Sequence, residues 1–200
     1  MRHTALDVIH EEHQALSAML RSLSMLVTQA HREGREPDFE VLRAMLFYVD
    51  EFPERLHHPK ETELLFPVML QRCPELTTVI TRLEQDHASG EQAIRSLQHA
   101  LLAYEMMGEA RREAFETQLN QYTRFYLQHM SMEETAILPM AERVLGPADW
   151  LVLDEAFAGN RDPLGGHEPD PEYRSLFRRI LMAAPAPIGL GTPRTQIVAR

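Results

Sequence analysis

The sequence is poor in cysteine, in basic residues relative to acidic ones, and in long apolar runs. Cys73 is the only cysteine among 200 residues, which excludes an intrachain disulfide and a metal site built from several thiolates. The 20 basic residues are outnumbered by 30 acidic ones, and a net charge of −10 disfavours nucleic acid and anionic membranes as partners. From Met1 the chain runs into a charged helical pattern without an apolar signal segment, so we expect a cytoplasmic protein.

Apolar residues recur every three or four positions in four long segments, which predicts four amphipathic helices. The segments cover about 4–32, 38–72, 74–107 and 110–145. Glycines and prolines separate them, whereas Pro53 and Pro59 lie inside the second segment and should bend it. Because the connections are short, consecutive helices should run antiparallel. The sequence therefore predicts an all-α, up-down-up-down four-helix bundle as the domain 1–147.

The remaining residues, 148–200, have a different character and form a predicted C-terminal extension. Two short helices, about 149–158 and 173–182, should flank a loop rich in Gly and Pro at 159–171. Exposure of all the large apolar side chains of the extension would leave a sizeable apolar patch. We therefore expect Trp150, Leu176, Phe177 and Ile180 to pack on the bundle or on a second subunit, as in a homodimer.

One spacing of polar residues occurs twice, on the second and fourth predicted helices. His57 and Glu61 are four residues apart, and so are His129 and Glu133. In each copy a proline follows the histidine by ten residues. A histidine and a glutamate at this spacing lie on one face of a helix and can reach one point in space.

Two single histidines, His13 and His87, precede these pairs and lie within the apolar seams of the first and third helices. The predicted metal-binding set is thus His13, His57, Glu61, His87, His129 and Glu133. Four imidazoles and two carboxylates suit two adjacent transition-metal ions, and iron fits this mixture of donors. The alternative is a buried, salt-bridged network of histidine and glutamate without metal. The duplicated spacing favours metal, because a generic bundle has no reason to repeat it.

The segments 57–61 and 129–134 resemble the HHE cation-binding motifs of hemerythrin-like domains, and the resemblance covers about residues 4–146. It implies two non-haem iron ions per chain inside a four-helix bundle. By this resemblance Glu61 and Glu133 bridge the two irons. His13 and His57 would then serve one iron, and His87 and His129 the other.

The third helix departs from the pattern of the oxygen-carrying hemerythrins, which have a second histidine one turn from the first. Here the residues one turn from His87 are Leu83 and Glu91. The iron at His87 should therefore have fewer nitrogen ligands, or be completed by Glu91, His10 or water. This departure casts doubt on a role as an oxygen carrier, since an open position also admits peroxide or nitric oxide.

Two neighbours of the predicted ligands, His58 and Gly90, need separate interpretations. His58 lies about 100° around an α-helix from His57 and should point elsewhere. Gly90 lies one turn beyond His87. It indicates either close helix packing or a space beside the iron where a small molecule could bind.

Three functions fit the sequence. The first is reversible binding or sensing of dioxygen or nitric oxide. The second is an enzyme that acts on peroxide, nitric oxide or ferrous iron, and the third is an interaction module that metal only stabilises. We favour binding over catalysis, because no residue outside the metal shell forms a recognisable substrate-binding or nucleophilic arrangement. All predicted ligands precede Pro147, so truncation after that residue should leave the metal site intact.

Overall fold

A computed structural model describes residues 3–160, 162–185 and 188–189, and four long helical stretches form its bundle. The stretches are α1 (Thr4–Arg32), α2 (39–72), α3 (Thr77–Met107) and α4 (112–144). Single 3₁₀ turns, Pro74–Leu76 and Gly108–Arg111, precede α3 and α4. α1 and α3 each pack against both α2 and α4, which gives the predicted all-α, up-down-up-down bundle.

The helix boundaries follow from local backbone chemistry. Gly34 ends α1 with a positive φ of 63°, and the next amide, that of Arg35, bonds to the carbonyl of Ala30. This is a common way to satisfy the last carbonyls of a helix, and glycine adopts it without a steric penalty. Asp38 then caps α2, since its carboxylate accepts a 3.1 Å hydrogen bond from the amide of Val41.

Two helices of the bundle contain π-helical segments at the repeated motif. In α2 these are Asp50–His57 and Glu61–Leu65, and in α4 the segment is Glu133–Ile137. The residue after each segment bonds to a carbonyl five positions back, as the amide of Phe66 does to Glu61. Pro67 and Pro139 lie just beyond two of these segments, and a proline cannot donate the hydrogen bond that a regular α-helix needs there.

The apolar core consists of two clusters along the bundle axis. One contains Leu20 and Phe115, and the other contains Ile9 and Phe66. The repeated motif lies between the two clusters, so its polar side chains form a layer across the bundle. No helix in the described part of the chain is long and apolar enough to cross a membrane.

The C-terminal extension folds onto the bundle. It begins with α5 (Pro147–Ala158), continues through a 3₁₀ turn at Pro163–Gly165 and ends in α6 (Arg174–Ala183). Its predicted apolar side chains pack on the bundle: Trp150, Phe177 and Ile180 are buried, and Leu176 packs against the core. Residues 190–200, the end of the predicted extension, lie outside the described residues.

Candidate metal centre

The six predicted metal-binding residues meet in the polar layer between the two apolar clusters. Their donor atoms form two overlapping groups in which every atom lies within 4.8 Å of the others. One group is His13, His57 and Glu61, and the other is Glu61, His87, His129 and Glu133. We call the surroundings of His13 and His57 the first subsite and those of His87 and His129 the second subsite.

The two glutamates lie between the subsites. Glu61 places Oε2 at 3.2 Å from Nε2 of His57 and at 3.5 Å from Nε2 of His87. Glu133 divides its oxygens, with Oε2 at 3.3 Å from Nε2 of His13 and Oε1 at 3.2 Å from Nε2 of His129. Each carboxylate therefore faces both subsites, which is the arrangement that a bridging ligand requires.

The carboxylates of Glu61 and Glu133 are fully buried, and none of their four oxygens accepts a hydrogen bond from the described residues. A buried carboxylate without a hydrogen-bond donor is costly, and cations are the usual partners of such groups. The ring nitrogens are also placed for a cation, because Nε2 of His87 lies 3.0 Å from Nε2 of His129. Two nitrogens bound to one ion at about 2.1 Å and at right angles lie at about this separation. The residues present thus fit a metal ion in each subsite.

The two histidines of the first subsite have raised pKa values, so that protons occupy the positions where a metal ion would bind. Burial alone would lower the pKa of His13, but the carboxylates of Glu133, 3.3 Å from Nε2, and Glu134, 3.1 Å from Nδ1, outweigh it and raise the pKa to about 9. Likewise burial opposes the charged form of His57, yet the charges of Glu61 and Glu12 raise its pKa well above the ordinary value. Metal binding would displace these protons, because a histidine binds metal in its neutral form.

The second ring nitrogen of each predicted histidine faces a side-chain oxygen. His13 Nδ1 lies 3.1 Å from Glu134, His57 Nδ1 lies 2.7 Å from Glu12, His87 Nδ1 lies 2.8 Å from Thr62, and His129 Nδ1 lies 3.6 Å from Asp86. The first three contacts are hydrogen bonds, and metal-binding histidines usually have such a partner, which fixes the tautomer and the ring orientation. Nδ1 of His129 has no hydrogen-bond partner among the described residues, and the carboxylate of Asp86 lies just beyond hydrogen-bond distance from it. Sequence reasoning did not find Glu12, Thr62 or Asp86, although each is adjacent to a predicted ligand in the chain.

The expectation that His58 points away from the site was wrong. Its ring is 4% exposed, and one of its nitrogens lies within 4.8 Å of the donor nitrogens of His87 and His129. Adjacent side chains are about 100° apart in a regular α-helix, whereas here the amide of His58 bonds to the carbonyl of Pro53, five residues back. Burial and the neighbouring His87 lower the pKa of His58 well below its ordinary value, which keeps the ring neutral.

The residues expected to complete the second subsite do not reach it. Glu91 is an exposed residue paired with Arg95 on the surface of α3. The side chain of His10 is 46% exposed and lies nearest Glu134, outside the layer. Neither residue belongs to any of the clusters of metal-binding groups.

Close helix packing explains Gly90. A Cβ atom here would overlap the hydroxyl of Tyr126 and lie 2.8 and 2.9 Å from the carboxylate oxygens of Glu54. Glu54 is itself buried and accepts hydrogen bonds from Tyr122 and Tyr126. The space beside Gly90 is therefore filled by a carboxylate and a phenol, and it is not a pocket for a small molecule.

Comparison with known proteins agrees with this geometry. Residues 4–141 match the family model described as the hemerythrin HHE cation binding domain. No curated protein matches the chain. The match covers more than half of the chain and all of the residues in the polar layer that come from the bundle. The chain therefore belongs to the hemerythrin HHE cation-binding domain family, as its doubled motif predicted.

Proposed function

We propose that the polar layer holds two iron ions and that this centre binds or senses a small diatomic molecule, dioxygen or nitric oxide. The proposed ligands are His13, His57, Glu61, His87, His129 and Glu133. The observation that carries the proposal is the pair of fully buried carboxylates, Glu61 and Glu133. Their oxygens have no hydrogen-bond donor among the described residues and face imidazole nitrogens in both subsites. Iron suits this mixture of nitrogen and oxygen donors, and it would supply the affinity for a diatomic molecule.

The space around the layer supports a very small ligand. A cavity of about 10 Å³ touches His13, His57 and Phe52, and this volume accommodates at most about one water-sized molecule. Outside it, a surface groove of about 590 Å³ between α1 and α4 is lined by His13 and Glu134. The groove offers a route to the first subsite, while the inner cavity excludes an organic substrate.

The stoichiometry of metal binding tests the first half of the proposal. After anaerobic reconstitution with ferrous iron, the protein should contain two irons per chain. His57→Ala and His129→Ala should each lower the iron content, because each removes a proposed nitrogen ligand. His99→Ala is the matched control, since His99 is exposed on α3 away from the layer. A folded wild-type protein that takes up no more than one iron would contradict the proposal.

Optical spectra of the reconstituted protein test the second half. Addition of dioxygen or nitric oxide should give a long-lived spectral change that reverses when the gas is removed. Sustained consumption of nitric oxide or peroxide with a reductant present would instead establish an enzyme. If none of these molecules changes the spectrum of a two-iron protein, the metal serves the stability of the bundle alone.

A further inference from the structure

We infer that His58 is the third nitrogen ligand of the second subsite and takes the place of the histidine that α3 lacks. The inference rests on the proposed metal centre and adds a ligand to it. It also changes which of the two ions has an open position. Three observations support it: the position of the ring, the backbone that turns it inward, and the contact made by its second nitrogen.

The ring of His58 lies among the donors of the second subsite. Donor nitrogens of His58, His87 and His129 all lie within 4.8 Å of one another. The rings of His58 and His87 stack with centroids 4.4 Å apart, at an interplanar angle of 16°. In the buried layer the inward nitrogens of His87 and His129 lie 3.0 Å apart and beside carboxylate oxygens, so that several lone pairs converge on one point. A shared cation resolves that conflict.

The backbone of α2 brings two consecutive histidines into the layer. The π-helical segment Asp50–His57 ends at the hydrogen bond from the amide of His58 to the carbonyl of Pro53. A π turn contains more residues than an α turn, so adjacent side chains are separated by a smaller angle. His57 is consequently directed to the first subsite and His58 to the second. Such π segments occur frequently at functional sites.

The second nitrogen of His58, like those of His13, His57 and His87, has a side-chain oxygen as its hydrogen-bond partner. Nδ1 donates a 3.2 Å hydrogen bond to Oε2 of Glu54. The other oxygen of Glu54 accepts hydrogen bonds from the hydroxyls of Tyr122, at 2.9 Å, and Tyr126. The two tyrosines thus fix Glu54, and Glu54 fixes the tautomer that leaves Nε2 of His58 free for metal. Glu54 is a positioning residue for this ligand.

With His58 included, the second subsite has three nitrogens and the first has two. Both share the carboxylates of Glu61 and Glu133. The open position then belongs to the ion at His13 and His57, which faces the small cavity and the groove between α1 and α4. This is the opposite of the sequence-based expectation, which left the iron at His87 under-ligated.

Titration of the metal-free protein with cobalt(II) tests the inference, because cobalt reports coordination through its visible absorption without turnover. Wild-type protein should bind two ions. His58→Ala should bind the first with unchanged affinity and the second at least about tenfold more weakly, the lower end of the loss seen when residues around metal ligands are removed. Added imidazole should restore the second ion and its spectrum, since it can occupy the space of the missing ring. His10→Ala is the matched control and should behave as the wild type.

A measurement on the wild-type protein covers the case in which His58→Ala does not fold. In the cobalt-loaded protein every ligating histidine contributes one strongly shifted, exchangeable N–H proton signal to the NMR spectrum. Five such signals are expected if His58 binds metal, and four would overturn the inference. Two bound ions in His58→Ala with wild-type affinity would overturn it as well. Failure of the wild type to bind two ions would instead refute the proposed centre itself.

Discussion

Asn160 donates a hydrogen bond from Nδ2 to Oε2 of Glu12 at 3.0 Å, although 148 residues separate them. The same oxygen of Glu12 accepts the 2.7 Å hydrogen bond from Nδ1 of His57. Lys60, next to Glu61 in the chain, donates to the side chain of Asn160 and to the carbonyl of Ala156. The C-terminal extension is therefore one hydrogen-bonded residue away from a proposed metal ligand.

Removal of the Glu12 carboxylate should weaken metal binding at the first subsite. Glu12→Ala deletes the acceptor that orients His57, and losses of roughly 10- to 100-fold in affinity are usual for such changes. Glu11→Ala is the matched control, because Glu11 is exposed and one position away. Titration with ferrous or cobalt ions would measure the change. Equal affinities in the two variants would contradict a role for Glu12 in positioning His57.

Asn160→Ala should produce a smaller loss at the same subsite. The substitution removes one of two donors to Glu12 and leaves the hydrogen bond to His57 in place. We expect the affinity for the ion at the first subsite to fall several-fold, since one hydrogen bond contributes about 1 kcal/mol. The affinity for the ion at the second subsite should not change. This result would also replace the sequence-based expectation that the chain beyond Pro147 is irrelevant to the metal. An unchanged titration would restore that expectation.

The fold could be predicted because the features that define its helices are local in the sequence. The predicted first helix, 4–32, coincides with Thr4–Arg32, and the third, 74–107, coincides with the 3₁₀ turn and α3 together. Apolar periodicity and helix-ending glycines determine such boundaries without long-range contacts. Pro53 and Pro59 indicated a disturbance of α2, but the sequence could not show that it would be π-helical.

The candidate site was only partly predictable for the same reason. The repeated spacing and the two single histidines in the apolar seams predicted six residues, and all of them lie in the layer. His58 was expected to point elsewhere, because its direction depends on the π segment, which apolar periodicity does not reveal. Asn160 could not be found at all, since its contact depends on how the extension packs against α1. Local spacing predicts candidate ligands that share a helix face, whereas their supporting residues depend on tertiary structure.

Gly90→Ala should destabilise the protein and disturb the second subsite. The added methyl group would meet Tyr126 and the carboxylate of Glu54 in a well-packed region. Overpacking of this kind costs about 1–3 kcal/mol in free energy of unfolding. Ser89→Ala, at the exposed neighbouring position, is the control. Urea denaturation would measure the free energy of unfolding of both variants, and cobalt titration would measure the effect on the second subsite.

The same substitution in a Tyr126→Phe background identifies the cause. Removal of the hydroxyl takes away the closest atom to the new methyl group, so the cost of Gly90→Ala should fall. An unchanged cost in that background would show that the hydroxyl is not the obstacle.

Metal binding should stabilise the folded protein, because the layer exists only when the four helices are assembled. At a free ferrous iron concentration about 100 times the dissociation constant, the free energy of unfolding should rise by about 2.7 kcal/mol per site. For a chain of this size, this corresponds to roughly 5–10 °C in melting temperature per site. A chelator should reverse the gain. His129→Ala should lose much of it, and His99→Ala should keep it. Equal melting temperatures with and without iron would mean that the metal does not bind the folded layer.

Asp162 should make the stability of the metal-free protein depend on pH. Its carboxyl is buried in the extension, where it accepts hydrogen bonds from the hydroxyl of Tyr48 at 2.5 Å and the amide of Leu164 at 2.9 Å. Burial raises its pKa to about 6, and the hydrogen bond from Tyr48 offsets only part of this. Between pH 3.8 and about 6, the folded protein thus holds a proton that the unfolded chain, with an ordinary pKa of 3.8, has released.

The direction of the effect follows from this difference in proton binding. The contribution of Asp162 to stability is complete below pH 3.8 and is lost as the pH rises through about 6. Asp162→Asn should therefore gain stability relative to the wild type on going from about pH 4 to about pH 7, by up to about 3 kcal/mol. Urea denaturation of both proteins across this range would measure the gain, and exposed Asp170→Asn is the control. A difference between Asp162→Asn and the wild type that does not change with pH would show that the buried carboxyl keeps its ordinary pKa.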